Sequence, residues 1–470
     1  MDKILSGVKN IHLIGIGGIG VSGLALLLKD KGYTVKGSDI QDTYNTKMLK
    51  EAGIEVYIGH KSENISPDTG LVCYSSAVKS DNPEILEAVK RGITILARGK
   101  LLGLLTFDKK TIAVSGSHGK TTTTALSGYL LTALGYKPTV FVGGLPLNYE
   151  RNAWWGEEYF VIETDESDGS FLCYNPWVSI ITNIDHEHLD YHKDMESLKK
   201  SFLQFAYQTK GLVIGCADDP SVNDILSKVN GLSYGFSERN RISGENISFE
   251  AGPHLLDQER IMGFTCFDFL IDKKFVSRVK VPLLGIHNVL NTMAVLSFFS
   301  YLGEDLAKVI ELLKYFKGTK RRFQIKKKVA GVTFIDDYAH HPTEINAVIK
   351  AARYLNPRRV FVIFQPHRFS RVKSLYKEFS HCFSCADELI LTDIYSASEK
   401  EIEGVNSEFL LGEIKKIFQG NVRYICREKI AAEVSLSLEE GDVVLGLGAG
   451  DINAIMDGII HEFKNSRVKA

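Results

Sequence analysis

After the apolar run Thr111–Gly116 the chain reads Gly116-Ser117-His118-Gly119-Lys120-Thr121 and continues into Thr122, Thr123 and Thr124. The amides of such a loop can cradle phosphates, the Lys120 ammonium can neutralise β and γ oxygens, and the Thr121 hydroxyl can ligate Mg²⁺. The long form of this motif has a glycine where Val114 stands, so the match is to a shorter G-x-x-G-K-T version. Two acid-bearing strand ends follow, Glu163-Thr164-Asp165-Glu166-Ser167-Asp168 and Asp185-His186-Glu187-His188-Leu189-Asp190. Carboxylates at the C-terminal ends of parallel strands, beside a phosphate loop, are placed to hold Mg²⁺ that bridges ATP oxygens. His186, His188 and His192 raise zinc as an alternative. No pair of cysteines stands nearby, and hard oxygen donors with one imidazole favour Mg²⁺.

A second phosphate turn lies near the start. Gly15-Ile16-Gly17-Gly18-Ile19-Gly20 follows the strand Ile11–Ile14, precedes a helix from about Ile19, and has Asp39 at the end of the next strand. The glycines let amides approach a pyrophosphate at a helix N-terminus, and a carboxylate can accept from a ribose hydroxyl. A nucleotide diphosphate fits, with the nucleotide unspecified; a glycine-rich turn kept for packing is the competing reading. The same motif motivates an NAD-dependent oxidoreductase as the reading from a different class, which leaves Gly116–Thr121 and the acids unexplained.

Further along, His287, Asn288 and Asn291 open a helix, where they either read a base and ribose or cap the helix. From Lys314 to Lys328 eight Lys and Arg occur without an acid, Arg321 and Arg322 among them. Nucleic acid, a solvated linker face and an arginine aimed at a γ-phosphate are the three readings of that run. Asp336-Asp337-Tyr338-Ala339-His340-His341-Pro342 and Gln365-Pro366-His367-Arg368-Phe369-Ser370-Arg371 each follow a strand. Arg368 and Arg371 can clamp a carboxylate or phosphate. Cys382 and Cys385 read as buried helix residues, and Gly446–Gly450 as a structural turn.

The elements that must position these groups alternate strand with helix almost throughout. The expected fold class is α/β in three domains: a Rossmann-like N-terminal domain over 1–107, a central ATPase-like domain with a phosphate loop and a mostly parallel sheet over 108–317, and a Rossmann-like C-terminal domain over 318–470. A length of 470 residues suits three cores better than one. Fifty-six Lys and Arg against 57 Asp and Glu leave a net charge of -1, which argues against nucleic acid or an acidic membrane as the main partner. The uncharged stretch Ile11–Leu28 approaches the length of a membrane span, but its glycines make it a poor one. Seven scattered cysteines argue for free thiols in a reducing compartment, so the expected location is the cytoplasm.

Taken in order, GIGGIG, GSD, SSA with DNPE, GSHGKTTTT, ETDESDGSF, TNIDHEHLD, LLGIHNVLN, GTKRRF, DDYAHHPTE, FQPHRFSR and GAGDI resemble the Mur ligase family along the whole chain, in the forms of its alanine-adding branch. The branch that attaches a recycled tripeptide looks similar through the phosphate loop and DDYAHHP and is the alternative. The resemblance implies that UDP-N-acetylmuramate, ATP and L-alanine are the partners, with Mg²⁺, as two ions, as the cofactor. It implies a stepwise reaction through an acyl phosphate, in a monomer or weak homodimer. Residue by residue, it assigns Gly15, Gly17, Gly18, Gly20, Ser38, Asp39, Ser75 and Ser76 to the sugar nucleotide. Gly116, Ser117, His118, Gly119, Lys120, Thr121 and Thr122 go to ATP, and Thr121, Glu163 and His188 to Mg²⁺. His287 and Asn291 would contact adenosine, Arg322 the γ-phosphate and Asp337 the ribose. Tyr338, His340, Arg368 and Arg371 would form the alanine pocket, with His340 as a guess for the base.

Overall fold

The computed structural model describes residues 2–185, 192, 194–251 and 263–468. Three sheets carry the α/β architecture, and each puts the loops of interest at the C-terminal edge of parallel strands.

The first sheet holds β1 (Asn10–Ile14), β2 (Thr34–Asp39), β3 (Glu55–Ile58), β4 (Leu71–Tyr74) and β5 (Thr94–Ala97) in the order β3-β2-β1-β4-β5, all parallel. The order reverses between β1 and β4, the crevice where open α/β sheets take ligands. The glycine turn after β1 and Ser75 and Ser76 after β4 lie on either side of it. The helix Ile19–Asp30 starts at the turn, with Gly18 as its N-cap and no side chain capping it.

The second sheet has ten strands. Its centre is β6 (Lys110–Ser115), with the later strands β9 (Tyr159–Glu163) and β10 (Val178–Ile181) parallel on its two sides. Between β6 and β9 in sequence come β7 (Thr139–Phe141) and the short β8 (Ala153–Trp154). β11 (Leu212–Cys216), β12 (Gly231–Gly235), β13 (Ile242–Ala251), β14 (Gly263–Ile271) and β15 (Lys274–Val281) extend the sheet, which ends in the β-rich stretch that the sequence shows. The helix Lys120–Ala133 follows the phosphate loop and is buried from Thr121 through Leu131, on every face. Its mixture of threonines, leucines and Gly128 has no polar stripe to turn outward.

The third sheet runs β16-β17-β21-β18-β19-β20. β16 (Gln324–Val329) is antiparallel to β17 (Val332–Asp337), while β18 (Val360–Phe364), β19 (Glu388–Leu391), β20 (Asn421–Tyr424) and β21 (Val443–Leu447) are parallel. Runs such as VFVIF and VVLGL are apolar without alternation because both faces of the sheet are covered. Val362, Phe364 and Leu445 pack on one side, and Phe361, Ile363 and Val444 on the other.

By contacts the chain forms two compact units, Met1–Glu245 with Asp268–Ser277 and Leu290–Phe316, and Asn246–Phe267 with Arg278–Val289 and Lys317–Ala470. Within the first unit, one apolar core takes residues from both sheets, including Leu13, Leu101, Phe160, Phe171 and Phe202. The seven cysteines are free thiols. Cys382 is buried, but it caps the helix Phe369–His381 and Cys385 lies in the turn beyond, so the pair is not within a helix as the sequence suggested. No helix among the described residues is long and apolar enough to cross a membrane.

Candidate active site

The phosphate loop connects β6 to the helix Lys120–Ala133 and is fixed from the next strand. Asn183, just beyond β10, accepts from Ser117 N through its backbone oxygen (3.0 Å) and from His118 N through its side chain (2.9 Å). Thr182 Oγ1 donates to His118 O at 2.6 Å, and Asp185 N donates to Ser117 Oγ at 2.8 Å. The His118 ring meets Asp185 Oδ2 at 3.1 Å. Gly119 has a φ of +83°, and a β-carbon there would collide with the Asn291 amide oxygen, so glycine is required on two counts. That contact places Asn291, on the helix Ile286–Leu302, at the loop itself.

Lys120 folds back over this loop, donating to Gly116 O, to Ser117 O (3.1 Å) and to Glu166 Oε1 (2.7 Å). Burial raises the Glu166 carboxyl to about 7, against the pull of the Lys120 charge. Thr121 Oγ1 donates to Glu163 Oε1 at 2.8 Å, and Glu163 Oε2 accepts from Gly143 N at 2.6 Å. A threonine hydroxyl and a carboxylate, touching beside a phosphate loop, are the hard oxygen donors that a Mg²⁺ ion bound to phosphates takes. His186 and His188 lie outside the described residues. His192 is buried with Nε2 2.7 Å from Glu166 O.

At the first turn, Gly15 N and Ile16 N donate to Ser38 O, and Asn45 Nδ2 donates to Gly17 O. Asp39 turns inward, accepting from Gly17 N at 2.8 Å. The carboxylate thus ties the turn to β2. Ser38 donates to Glu84 Oε2 (2.6 Å), a buried carboxylate that also faces His12 Nε2 (3.0 Å) and accepts from Asn64 (2.6 Å) and Lys61 N (3.2 Å). Ser75 packs against Gly15, and Ser76 is exposed at the strand end. Sequence reasoning missed Arg98, whose guanidinium reaches Asp165 Oδ2 at 3.2 Å. It also missed Asn183. Arg98 stands in no motif, whereas Asn183 belongs to TNID and was left without a role.

The second unit collects another set. Asp337, at the end of β17, accepts from Phe323 N (2.6 Å) and Ala339 N (2.7 Å), and burial raises its carboxyl to about 6 although the Arg322 charge opposes this. The guanidinium of Arg322 lies 5.3 Å from the Tyr338 ring centroid and 3.8 Å from Glu344. His340 Nδ1 is 2.9 Å from Tyr338 O and 3.4 Å from Glu344 Oε2. Desolvation lowers His287 to about 4, with Glu344 and Arg322 as the charges that act on it. His287 therefore lies near Arg322 and Glu344. Arg368 caps the helix Phe369–His381 with a φ of +69° and lies 3.9 Å from Glu399, and Arg371 sits one turn into that helix. Arg321 donates to Gly448 O (2.5 Å) and Gly450 O (3.0 Å), so it secures the Gly446–Gly450 turn while its neighbour Arg322 faces Glu344.

Three family models match in succession. Mur ligase family, catalytic domain, covers residues 10–110, Mur ligase middle domain covers 114–298, and Mur ligase, glutamate ligase domain, covers 321–450. The UDP-N-acetylmuramate--L-alanine ligase of Carboxydothermus hydrogenoformans is 41% identical over 451 residues, 95% of each chain. That of Solidesulfovibrio magneticus is 42% identical over 453 residues, 95% of this chain and 96% of the relative. Among solved structures, the UDP-N-acetylmuramate-alanine ligase of Thermotoga maritima matches with a TM-score of 0.82 at 30% identity, covering 97% of this chain and 99% of that one. A murein peptide ligase from Psychrobacter arcticus, at 23% identity and a TM-score of 0.69, shares the fold.

Proposed function

The chain belongs to the Mur ligase family, and we propose that it joins L-alanine to the lactyl carboxylate of UDP-N-acetylmuramate with cleavage of ATP to ADP and phosphate, as a cytoplasmic step of peptidoglycan precursor synthesis. The observation that carries this reading is the phosphate loop whose Lys120 and Thr121 touch Glu166 and Glu163 at the end of a neighbouring parallel strand. The chain divides near residues 107 and 317 into parts for the sugar nucleotide, ATP and alanine.

A carboxylate is a poor electrophile, so it is activated first. Its oxygen attacks the γ-phosphorus, ADP leaves, and the alanine nitrogen then attacks the acyl phosphate, expelling phosphate and a proton. Lys120 exchanges its loop carbonyls and Glu166 for the γ-phosphate and stabilises the charge in transfer. Arg322 adds a second positive group to that phosphate. Thr121, Glu163 and His188 would hold Mg²⁺, which supplies charge neutralisation across phosphate oxygens when bound. His287 and Asn291 contact adenosine, with His287 neutral at working pH, and Asp337 faces the ribose. Tyr338, His340, Arg368 and Arg371 bind and orient alanine, the arginines meeting its carboxylate.

The test is phosphate release from ATP with UDP-N-acetylmuramate and an amino-acid panel. Release is expected only with all substrates present, with alanine first and glycine or serine weaker by the factor of about 10 to 200 that one small group provides. Turnover with the tripeptide L-alanyl-γ-D-glutamyl-diaminopimelate and none with alanine would refute the reading.

A further inference from the structure

We propose that Arg98 is a positioning residue for this ligation, a single guanidinium that sets the sugar-nucleotide turn and the acid-bearing nucleotide loop at a fixed separation. The inference rests on the function proposed above. Arg98 opens the helix Arg98–Leu105 directly after β5, with its side chain 18% exposed. Its Nη2 lies 3.2 Å from Asp165 Oδ2 and 3.6 Å from Asp168 Oδ2. On the other side, the guanidinium fills the place that a β-carbon at Gly20 would need, in the first turn of the helix after Gly15–Gly20. One planar cation therefore touches both the first turn of that helix and the acid-bearing loop.

Two further features hold it there. Gly99 packs directly on Ser170, and a β-carbon at Gly103 would lie 2.6 Å from Cys173 O, so the Arg98 helix rides close against the segment that follows the acids. Asp165 is fixed in turn: its Oδ1 accepts from Ser167 N (3.0 Å) and Ser167 Oγ (2.5 Å), and its backbone oxygen accepts from Ser170 Oγ (3.2 Å). Burial would raise the Asp165 carboxyl, but the Ser167 hydrogen bond and the Arg98 and Lys120 charges hold it below its ordinary value.

The reaction brings a carboxylate on one nucleotide to a phosphate on another, and both are anions entering a loop that already carries Glu163, Asp165, Glu166 and Asp168. A guanidinium that pairs two of these acids removes repulsion and fixes distance and orientation together. A lysine ammonium, a point charge on a flexible stem, does the first without the second. Misplacement by about 1 Å costs about 100-fold in rate.

The experiment compares the full chain with Arg98→Lys, Arg98→Ala, Asp165→Asn and the Arg98→Ala/Asp165→Asn double variant, reading kcat and KM separately for ATP and UDP-N-acetylmuramate. Expected are a kcat at least tenfold lower in each single variant, a KM for ATP within about twofold of wild type, and a double variant no worse than the worse single one. Wild-type kcat in Arg98→Ala, full recovery in Arg98→Lys, or losses that multiply in the double variant would overturn the proposal. If Arg98→Ala does not fold, Arg98→Lys and Asp165→Asn carry the same test. Failure of the wild-type chain to turn over these substrates would instead sink the function on which the inference rests.

Discussion

Two half-buried imidazoles make the second unit sensitive to mild acid. His367 and His287 are each lowered to about 4, mainly by desolvation, with Arg368 and Arg322 adding repulsion. An unfolded histidine titrates near 6.5. Between these values the unfolded chain binds a proton that the folded chain refuses, so stability present above pH 6.5 is lost as the pH falls. Each group contributes up to about 1.4 kcal/mol per pH unit, and because the unfolded imidazole is already half protonated at pH 6.5, the pair costs about 3 kcal/mol from pH 6.5 to 5. Asp337 acts in the opposite sense. Its folded value of about 6 exceeds the unfolded value near 4, so the stability it confers is full below about 4 and is lost as the pH rises through 6, returning about 1 kcal/mol between pH 6.5 and 5. The net expected loss is about 2 kcal/mol. His367→Gln removes about 1.6 kcal/mol of it and leaves a nearly flat profile. Trp154, Trp155 and Trp177 all fall in the first unit, so their fluorescence does not read this change. Pulse-labelling hydrogen exchange against urea at pH 6.5 and 5.0, read on peptides from β17, β18 and β21, does. A midpoint in urea that is equal at the two pH values, or an unchanged slope in His367→Gln, would refute the reasoning.

Gly119→Ala forces a side chain into a φ of +83° and into the Asn291 amide, a strain of about 1–3 kcal/mol. ATP affinity by calorimetry should fall at least tenfold, and an unchanged affinity would show that the loop does not bind in this form. Glu84→Gln leaves one acceptor oxygen where Ser38, Asn64 and Lys61 N all donate. It should cost about 3 kcal/mol in the first unit, visible as a lower urea midpoint by tryptophan fluorescence; a loss below about 0.5 kcal/mol would contradict the buried network.

The glycine turns were legible because their demands are local: a strand, a left-handed or crowded backbone position and a helix start all lie within a few residues. The three α/β sheets were legible for a similar reason, since strands covered on both faces read as unbroken apolar runs. What escaped depends on distance along the chain. Arg98 meets Asp165 at a separation of 67 positions, and no periodicity marks it. Asp39 has the type and place for a ribose, and that its carboxylate also accepts from Gly17 N, 22 positions away, is not marked in the sequence. Arg321 and Arg322 are adjacent and chemically alike. A positive φ of 58° at Arg321 sends one to the Gly448 and Gly450 carbonyls and the other to Glu344.

The helix behind the phosphate loop has a bearing on timing. A helix enclosed from Thr121 to Leu131 cannot slide or tilt without opening voids in a close-packed interior. The loop therefore stays where the fold puts it, whether or not a nucleotide is present. On the function proposed above, nucleotide capture asks Lys120 to swing from two carbonyls and Glu166 toward the incoming phosphate. Rotamer changes of that kind take picoseconds to nanoseconds at exposed positions and remain far faster than a domain motion. On that proposal, nucleotide entry asks for a side-chain rearrangement and leaves the helix in place.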